Sequence, residues 1–112
     1  MDEPYIEISA AEAKKMAEQD DVLIVDVRQP EQFEKEHIKD SVLIPLSTVK
    51  QRMAELPQDK KLFFICEWGP KGVLACETLL SEGFPQGKLY VVDDGLYGCK
   101  KAGFPMEGGQ TE

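Results

Sequence analysis

Four short apolar runs divide this chain: "VLIVDV" (22–27), "SVLIP" (41–45), "KLFFIC" (61–66) and "KLYVVDD" (88–94). The first and third are near-continuous apolar stretches, the pattern of strands buried on both faces of a parallel sheet. A fifth short strand is expected at Tyr5–Ile8. The segments between carry helix signals. Ser9 followed by Glu12 is a capping box, which predicts a helix starting at Ala10. Pro30 suits the first turn of "PEQFEKEHI", and Glu31 suits its positive end. Ser47 and Thr48 offer caps for a helix through about Leu56, stopped by Pro57. "KGVLACETLLSEGF" reads as a helix with Gly83 as its C-terminal cap. "GLYGCKKAGF" reads as a last short helix, opened by Asp93 and Asp94 as caps and closed by Gly103 and Pro105. Strands that alternate with helices imply a parallel sheet covered on both faces. The reading is therefore one α/β domain over 5–107, with a tail at 108–112 that has nothing to bury and is expected to be mobile.

Charge narrows the partners. The chain has 112 residues and a formal net charge of −8. An acidic balance argues against nucleic acid or anionic lipid as the main partner, though it leaves room for a local basic pocket. The N-terminus "MDEPYIEIS" has no basic region and no long apolar stretch. A cytoplasmic protein without membrane segments is expected. The three cysteines lack C-x-x-C spacing and the only histidine is His37. Neither a disulfide framework nor a zinc site follows, and no metal or organic cofactor is implied.

Cys66 stands out within "FICEWGPKGVLAC". It ends a strand just before a Gly/Pro loop and a helix, at a turn where a thiol is expected to be exposed. Ligands of such sheets bind beyond the carboxyl ends of the strands. A helix N-terminus stabilises a thiolate through its unpaired N–H groups and partial charge. Backbone N–H groups of Glu67, Trp68, Gly69, Pro70, Lys71 and Gly72 are expected to form an anion-binding nest around the sulfur. Lys71 adds a positive charge. Glu67 opposes it: at ~6 Å, a carboxylate disfavours a thiolate by roughly 0.7–3 kcal/mol. The helix terminus and Lys71 each return on the order of 0.3–2 kcal/mol, so the conformation of Glu67 decides the balance. Two readings fit Cys66, a nucleophile or sulfur carrier and an ordinary buried cysteine closing a core strand. The pattern alone does not choose between them.

Four blocks taken in order resemble a single-domain rhodanese of the sulfurtransferase family: "VLIVDVRQPEQFEKEHI", "SVLIPLS", "FFICEWGPKG" and "YVVDDGLYGCKKAGFP". They are similar to the family's Asp-Val-Arg block, its Ala-Xaa-Asn-Ile-Pro strand, its Cys-x-x-x-x-Arg loop and its Gly-Gly-Xaa-Xaa-Xaa-Trp helix. The resemblance implies a five-stranded parallel sheet. It also implies that Cys66 accepts sulfane sulfur as a persulfide and passes it to a nucleophile. Four residues separate Cys66 from Lys71, which fits the sulfurtransferase loop. The related phosphatases and arsenate reductases use a loop one residue longer.

The chain departs from the family at several positions. Lys71 stands where arginine is usual and lacks the planar fork that holds an oxyanion at two points. Gly72 replaces a common serine or threonine, and Glu67 and Trp68 replace residues that are often small, polar or basic. Asp94 and Cys99 replace a glycine and the tryptophan of the last block. Thiosulfate, a dianion, is therefore expected to be a poor donor. A small-molecule or protein persulfide is the expected donor, and a thiol or cyanide-type nucleophile the acceptor. Trp68 either packs on the domain or offers a contact for a protein partner.

The resemblance gives Asp26 and Arg28 a structural role at a strand end. His37 lacks a second ligand or base and reads as structural, and Cys76 reads as core. Cys99 either fills the place of the tryptophan or serves as a resolving thiol for Cys66. Asp94, with Cys99, is a candidate pocket residue. Two other functions stay open: a non-catalytic rhodanese-like module that binds or regulates another protein, and a cysteine-based phosphatase or arsenate reductase.

Overall fold

A computed structural model describes residues 4–67 and 70–108. Among the described residues, seven strands and four α-helices follow one another. They are β1 (Ile6–Ile8), α1 (Ala10–Gln19), β2 (Val22–Asp26), α2 (Pro30–Lys35), β3 (His37–Ile38), β4 (Val42–Leu43), β5 (Lys61–Ile65), α3 (Pro70–Ser81), β6 (Leu89–Val92), α4 (Gly95–Ala102) and β7 (Met106–Glu107). Five strands form one parallel sheet in the order β1-β6-β5-β2-β4. The α/β class and the five-stranded parallel sheet are as the sequence implies.

Strand parity sorts the core into two halves. Leu62, Phe64 and Cys66 point to one face, where they pack with Ala75, Cys76 and Leu79 of α3. Phe63 and Ile65 point to the other, against Ala10 and Ala13 of α1 and Leu96 and Cys99 of α4. Both faces are covered, so neither shows the polar alternation of a half-exposed sheet.

Local chemistry sets the helix ends. Ser9 Oγ accepts the Glu12 N–H at 3.1 Å while Glu12 Oε1 accepts the Ser9 N–H at 2.9 Å, completing the capping box. After α3, Gly83 takes a left-handed φ of 93°, and the Phe84 N–H reaches back to the Leu79 carbonyl at 2.9 Å. Gly103 ends α4 in the same way, with Phe104 N–H donating to the Cys99 carbonyl at 3.1 Å.

Three features differ from the sequence reading. The expected helix from Ser47 to Leu56 is two 3-10 turns, Leu46–Thr48 and Met53–Glu55. The Thr48 hydroxyl donates to the Pro45 carbonyl at 2.9 Å, a local bond that competes with a regular helical ladder. Asp94 precedes α4 but its side chain does not cap it. Its backbone is αR (φ −76°, ψ −9°) rather than extended, and its Oδ2 accepts the Ala10 N–H at the start of α1 instead, at 3.1 Å. Finally, β3 and β7 form a separate antiparallel pair, with His37 opposite Glu107. This pair ties the end of the domain back to α2. Residues 109–112 of the expected mobile tail lie outside the described residues.

Candidate active site

Cys66 follows the last residue of β5 and lies on the α3 side of the sheet. It is 2% exposed, so the expected exposed thiol is instead a buried one. It reaches the outside through a cavity of about 330 Å³ that it lines with Arg28, Gln32, Glu67, Pro70 and Lys71. The carboxyl ends of β2 and β5 thus meet the first turn of α3 at one opening, as the switch-point rule requires.

Two glycines let the surrounding chain close on this point. A Cβ on Gly72 would lie 3.1 Å from Val91 Cγ1 and 3.2 Å from the Phe64 carbonyl oxygen. Glycine there lets the first turn of α3 sit directly on β5 and β6. Gly95 has φ +66°, and a Cβ on it would meet the Cys66 and Glu67 carbonyls. The next residue, Leu96, donates its N–H to the Cys66 carbonyl at 2.8 Å. The start of α4 therefore fixes the peptide that carries the thiol. Sequence reading missed Gly95, although a glycine after the acidic pair that ends "VVDD" was a usable signal for a left-handed position. It missed Gln32 as well, and no local signal marks that residue: only the topology brings α2 over the end of β5.

Arg28 organises the mouth. Its Nε donates to both Asp26 oxygens at 2.9 and 3.0 Å, and Nη2 donates to Asp26 Oδ2 at 2.8 Å and to the Glu36 carbonyl at 2.6 Å. Nη1 donates to Glu67 Oε2 at 3.2 Å. Asp26 and Arg28 are both buried. Burial works against the guanidinium charge, but the hydrogen bonds and charges of Asp26 and then Glu67 outweigh it and hold its pKa above the ordinary value. Glu67 is turned to Arg28, which offsets the carboxylate next to Cys66 in sequence. Asp26 and Arg28 thus bond to each other at the end of β2, and Arg28 in addition lines the Cys66 cavity. Lys71 is exposed at the same cavity and forms no ion pair among the described residues. Trp68 and Gly69 lie outside the described residues. Pro70 has no N–H, so it is removed from the expected ring of donors.

The remaining candidates lie elsewhere. His37 stacks on Phe33 with centroids 3.8 Å apart, its Nδ1 is 2.7 Å from the Phe33 carbonyl, and its Nε2 is 3.5 Å from Glu107. Cys76 is sealed in the α3 core, where burial and then Glu77 push its pKa up to about 12. Cys99 belongs to the α4 side of the sheet and lines no part of the Cys66 cavity. Burial, followed by Asp94 and Asp26, pushes its pKa up to about 12. Asp94 lines a different depression, with Ala10, Tyr97 and Lys101. The expected pocket role of Asp94 and Cys99 at Cys66 is corrected accordingly: strand parity turns Cys66 toward α3 and α4 keeps Cys99 on the opposite face. Among the described residues, no cluster of His, Cys, Asp and Glu could hold a metal ion. No helix among them is long and apolar enough to cross a membrane.

A profile of the rhodanese-like domain matches residues 9–102. The chain belongs to the rhodanese-like family. It is 28% identical over 94 residues to a sulfurtransferase of Allochromatium vinosum, covering 84% of this chain and 86% of that protein. It is 29% identical over 103 residues to the thiosulfate sulfurtransferase GlpE of Vibrio cholerae, covering 92% of this chain and 93% of the relative. Among solved structures, the rhodanese-related protein of Thermoplasma volcanium superposes with a TM-score of 0.79 at 27% identity, covering 92% of this chain and 98% of the other.

Proposed function

We propose that this rhodanese-like protein is a sulfurtransferase that carries sulfane sulfur on Cys66. The observation that supports this most is the contrast among the three thiols. Cys66 lines an open cavity with Arg28 and Lys71 beside it, whereas Cys76 and Cys99 are sealed in the core. Relatives of similar length carry sulfurtransferase names.

The reaction proceeds in two displacements. The Cys66 thiolate attacks the outer sulfur of a persulfide donor R–S–SH. A sulfur–sulfur bond forms on Cys66, the donor's bond breaks, and R–S⁻ leaves with the bonding pair. The Cys66 persulfide then gives its outer sulfur to a nucleophile. With cyanide, Cys66–S–SH becomes Cys66–SH and thiocyanate is released. The N–H groups of Lys71 and Gly72 in the first turn of α3 and the Lys71 charge favour the anionic sulfur. Thiosulfate would enter the same first step with sulfite leaving. The lysine in place of arginine and the carboxylate of Glu67 both disfavour it relative to a persulfide donor.

The test is mass spectrometry of the reduced protein after separate incubation with thiosulfate and with a persulfide donor. A gain of about 32 Da on the Cys66 peptide, removed by cyanide or a thiol and lost in Cys66→Ser, is the expected result. No added sulfur from either donor would replace this reading with a binding module.

A further inference from the structure

We infer that Glu67 sets donor specificity by occupying the one arm of Arg28 that a substrate anion could use. The inference rests on the proposed role of Cys66 and adds a determinant to it.

The bonds of Arg28 are unequal in what holds them. Nε and Nη2 are bound to Asp26, which is 0% exposed, and to a main-chain carbonyl, that of Glu36. Neither partner can leave without disturbing the end of β2 or the end of α2. Nη1 is bound by the Glu67 side chain, which is 41% exposed and can turn into water. Arg28, Glu67 and Cys66 line the same cavity. A guanidinium edge is a strong oxyanion donor, and here it is already taken by a carboxylate of the protein itself.

An anion entering the cavity therefore meets one of two costs. It displaces Glu67 from Arg28, or it lies beside an unneutralised carboxylate. Of the two cations that line the cavity, Arg28 already meets the carboxylates of Asp26 and Glu67, which leaves Lys71 to meet a dianion. A donor with little charge next to its outer sulfur bears neither cost. Glu67 thus acts as an internal competitor that selects against doubly charged oxyanion donors.

The inference is tested by binding, apart from turnover. Thiosulfate is titrated into the Cys66→Ser protein, alone and combined with Glu67→Gln or Glu36→Gln. The chain contains only two arginines, Arg28 and Arg52, so their side-chain ¹⁵N–¹H signals can be assigned by elimination. Glu36→Gln removes the same charge from the same side of the molecule but leaves the main-chain bond to Arg28 in place. The expected result is a thiosulfate Kd lowered ~3- to 10-fold by Glu67→Gln, with the Arg28 signals shifting on binding. Glu36→Gln should give a smaller gain. Equal effects of the two substitutions, or Arg28 signals that do not respond, would overturn the inference. Glu67→Ala, which also shortens the side chain, should reproduce the gain and guards against a local effect of glutamine. If Cys66 takes up no sulfur from any donor while Glu67→Gln still gains thiosulfate binding, the transfer function fails and donor selection falls with it, and what stands is the competition of Glu67 with oxyanions for Arg28.

Discussion

Gly95 lies so close to Cys66 that a Cβ on it would be 2.7 Å from the Cys66 carbonyl oxygen, the same oxygen that accepts the Leu96 N–H at 2.8 Å. The thiol-bearing peptide is held from behind by the first residues of α4, while the cavity opens in front. Gly95→Ala combines a left-handed φ with a main-chain clash and should cost about 2–4 kcal/mol. Gly83→Ala is the matched control. Gly83 has φ +93° with nothing within 4 Å of a new Cβ. Strain alone predicts ~1 kcal/mol there. Urea unfolding of both variants separates the two contributions, and equal losses would mean that the contact with Cys66 is not tight.

The Asp26–Arg28 pair predicts a different kind of loss. Both residues are buried, and Asp26 meets three donors of Arg28, including its main-chain N–H at 3.0 Å. Asp26→Asn keeps the shape and removes the charge, leaving a buried guanidinium with a weaker partner. The expected loss is about 3–5 kcal/mol in denaturant unfolding. A loss below ~1 kcal/mol would mean that water reaches Arg28 and that the pair contributes no more than a surface ion pair.

The fold was readable because its signals are local and agree with one another. The capping box at Ser9, the apolar run 61–65 and the glycines that close α3 and α4 each appear in the structure where the sequence places them. Failures came where the outcome depends on distant partners. Asp94 has a good capping side chain, but its choice between α4 and α1 depends on an N–H that is 84 positions away. The pairing of His37 with Glu107 joins residues 70 positions apart and involves two residues per strand, too few for a pattern. At the site, Cys66 and Lys71 were visible because they share one loop. Gln32 and Gly95 were not, because only the sheet order β6-β5-β2 sets their elements on either side of that loop.

Two sealed thiols should leave a signature at alkaline pH. Cys76 and Cys99 have pKa values pushed up to about 12 from an ordinary 9.0, chiefly by burial. Their folded values are above their unfolded ones, so the folded state holds the protons more tightly. This contribution to stability is complete below about pH 9 and is lost as pH rises toward 12. Within that window each thiol should lower stability by about 1.4 kcal/mol per pH unit. Cys76→Ala should flatten the measured pH slope by that amount, whatever its effect on absolute stability. An unchanged slope would mean that Cys76 ionises without unfolding.

The same contrast makes Cys66 the one thiol that should react in the native protein. Thiol chemistry requires a thiolate and a path for the reagent. At neutral pH, Cys76 and Cys99 have neither: their protons are held by burial and both side chains are sealed in the core, whereas Cys66 lines the cavity with Lys71. Iodoacetamide followed by peptide mapping should show Cys66 modified at least about a hundredfold faster than the other two. Added urea should abolish the difference, since unfolding exposes all three. Native rates that are equally slow at the three positions would place Cys66 with the structural cysteines. The cavity would then read as a docking surface of a rhodanese-like binding module rather than as the site of sulfur transfer.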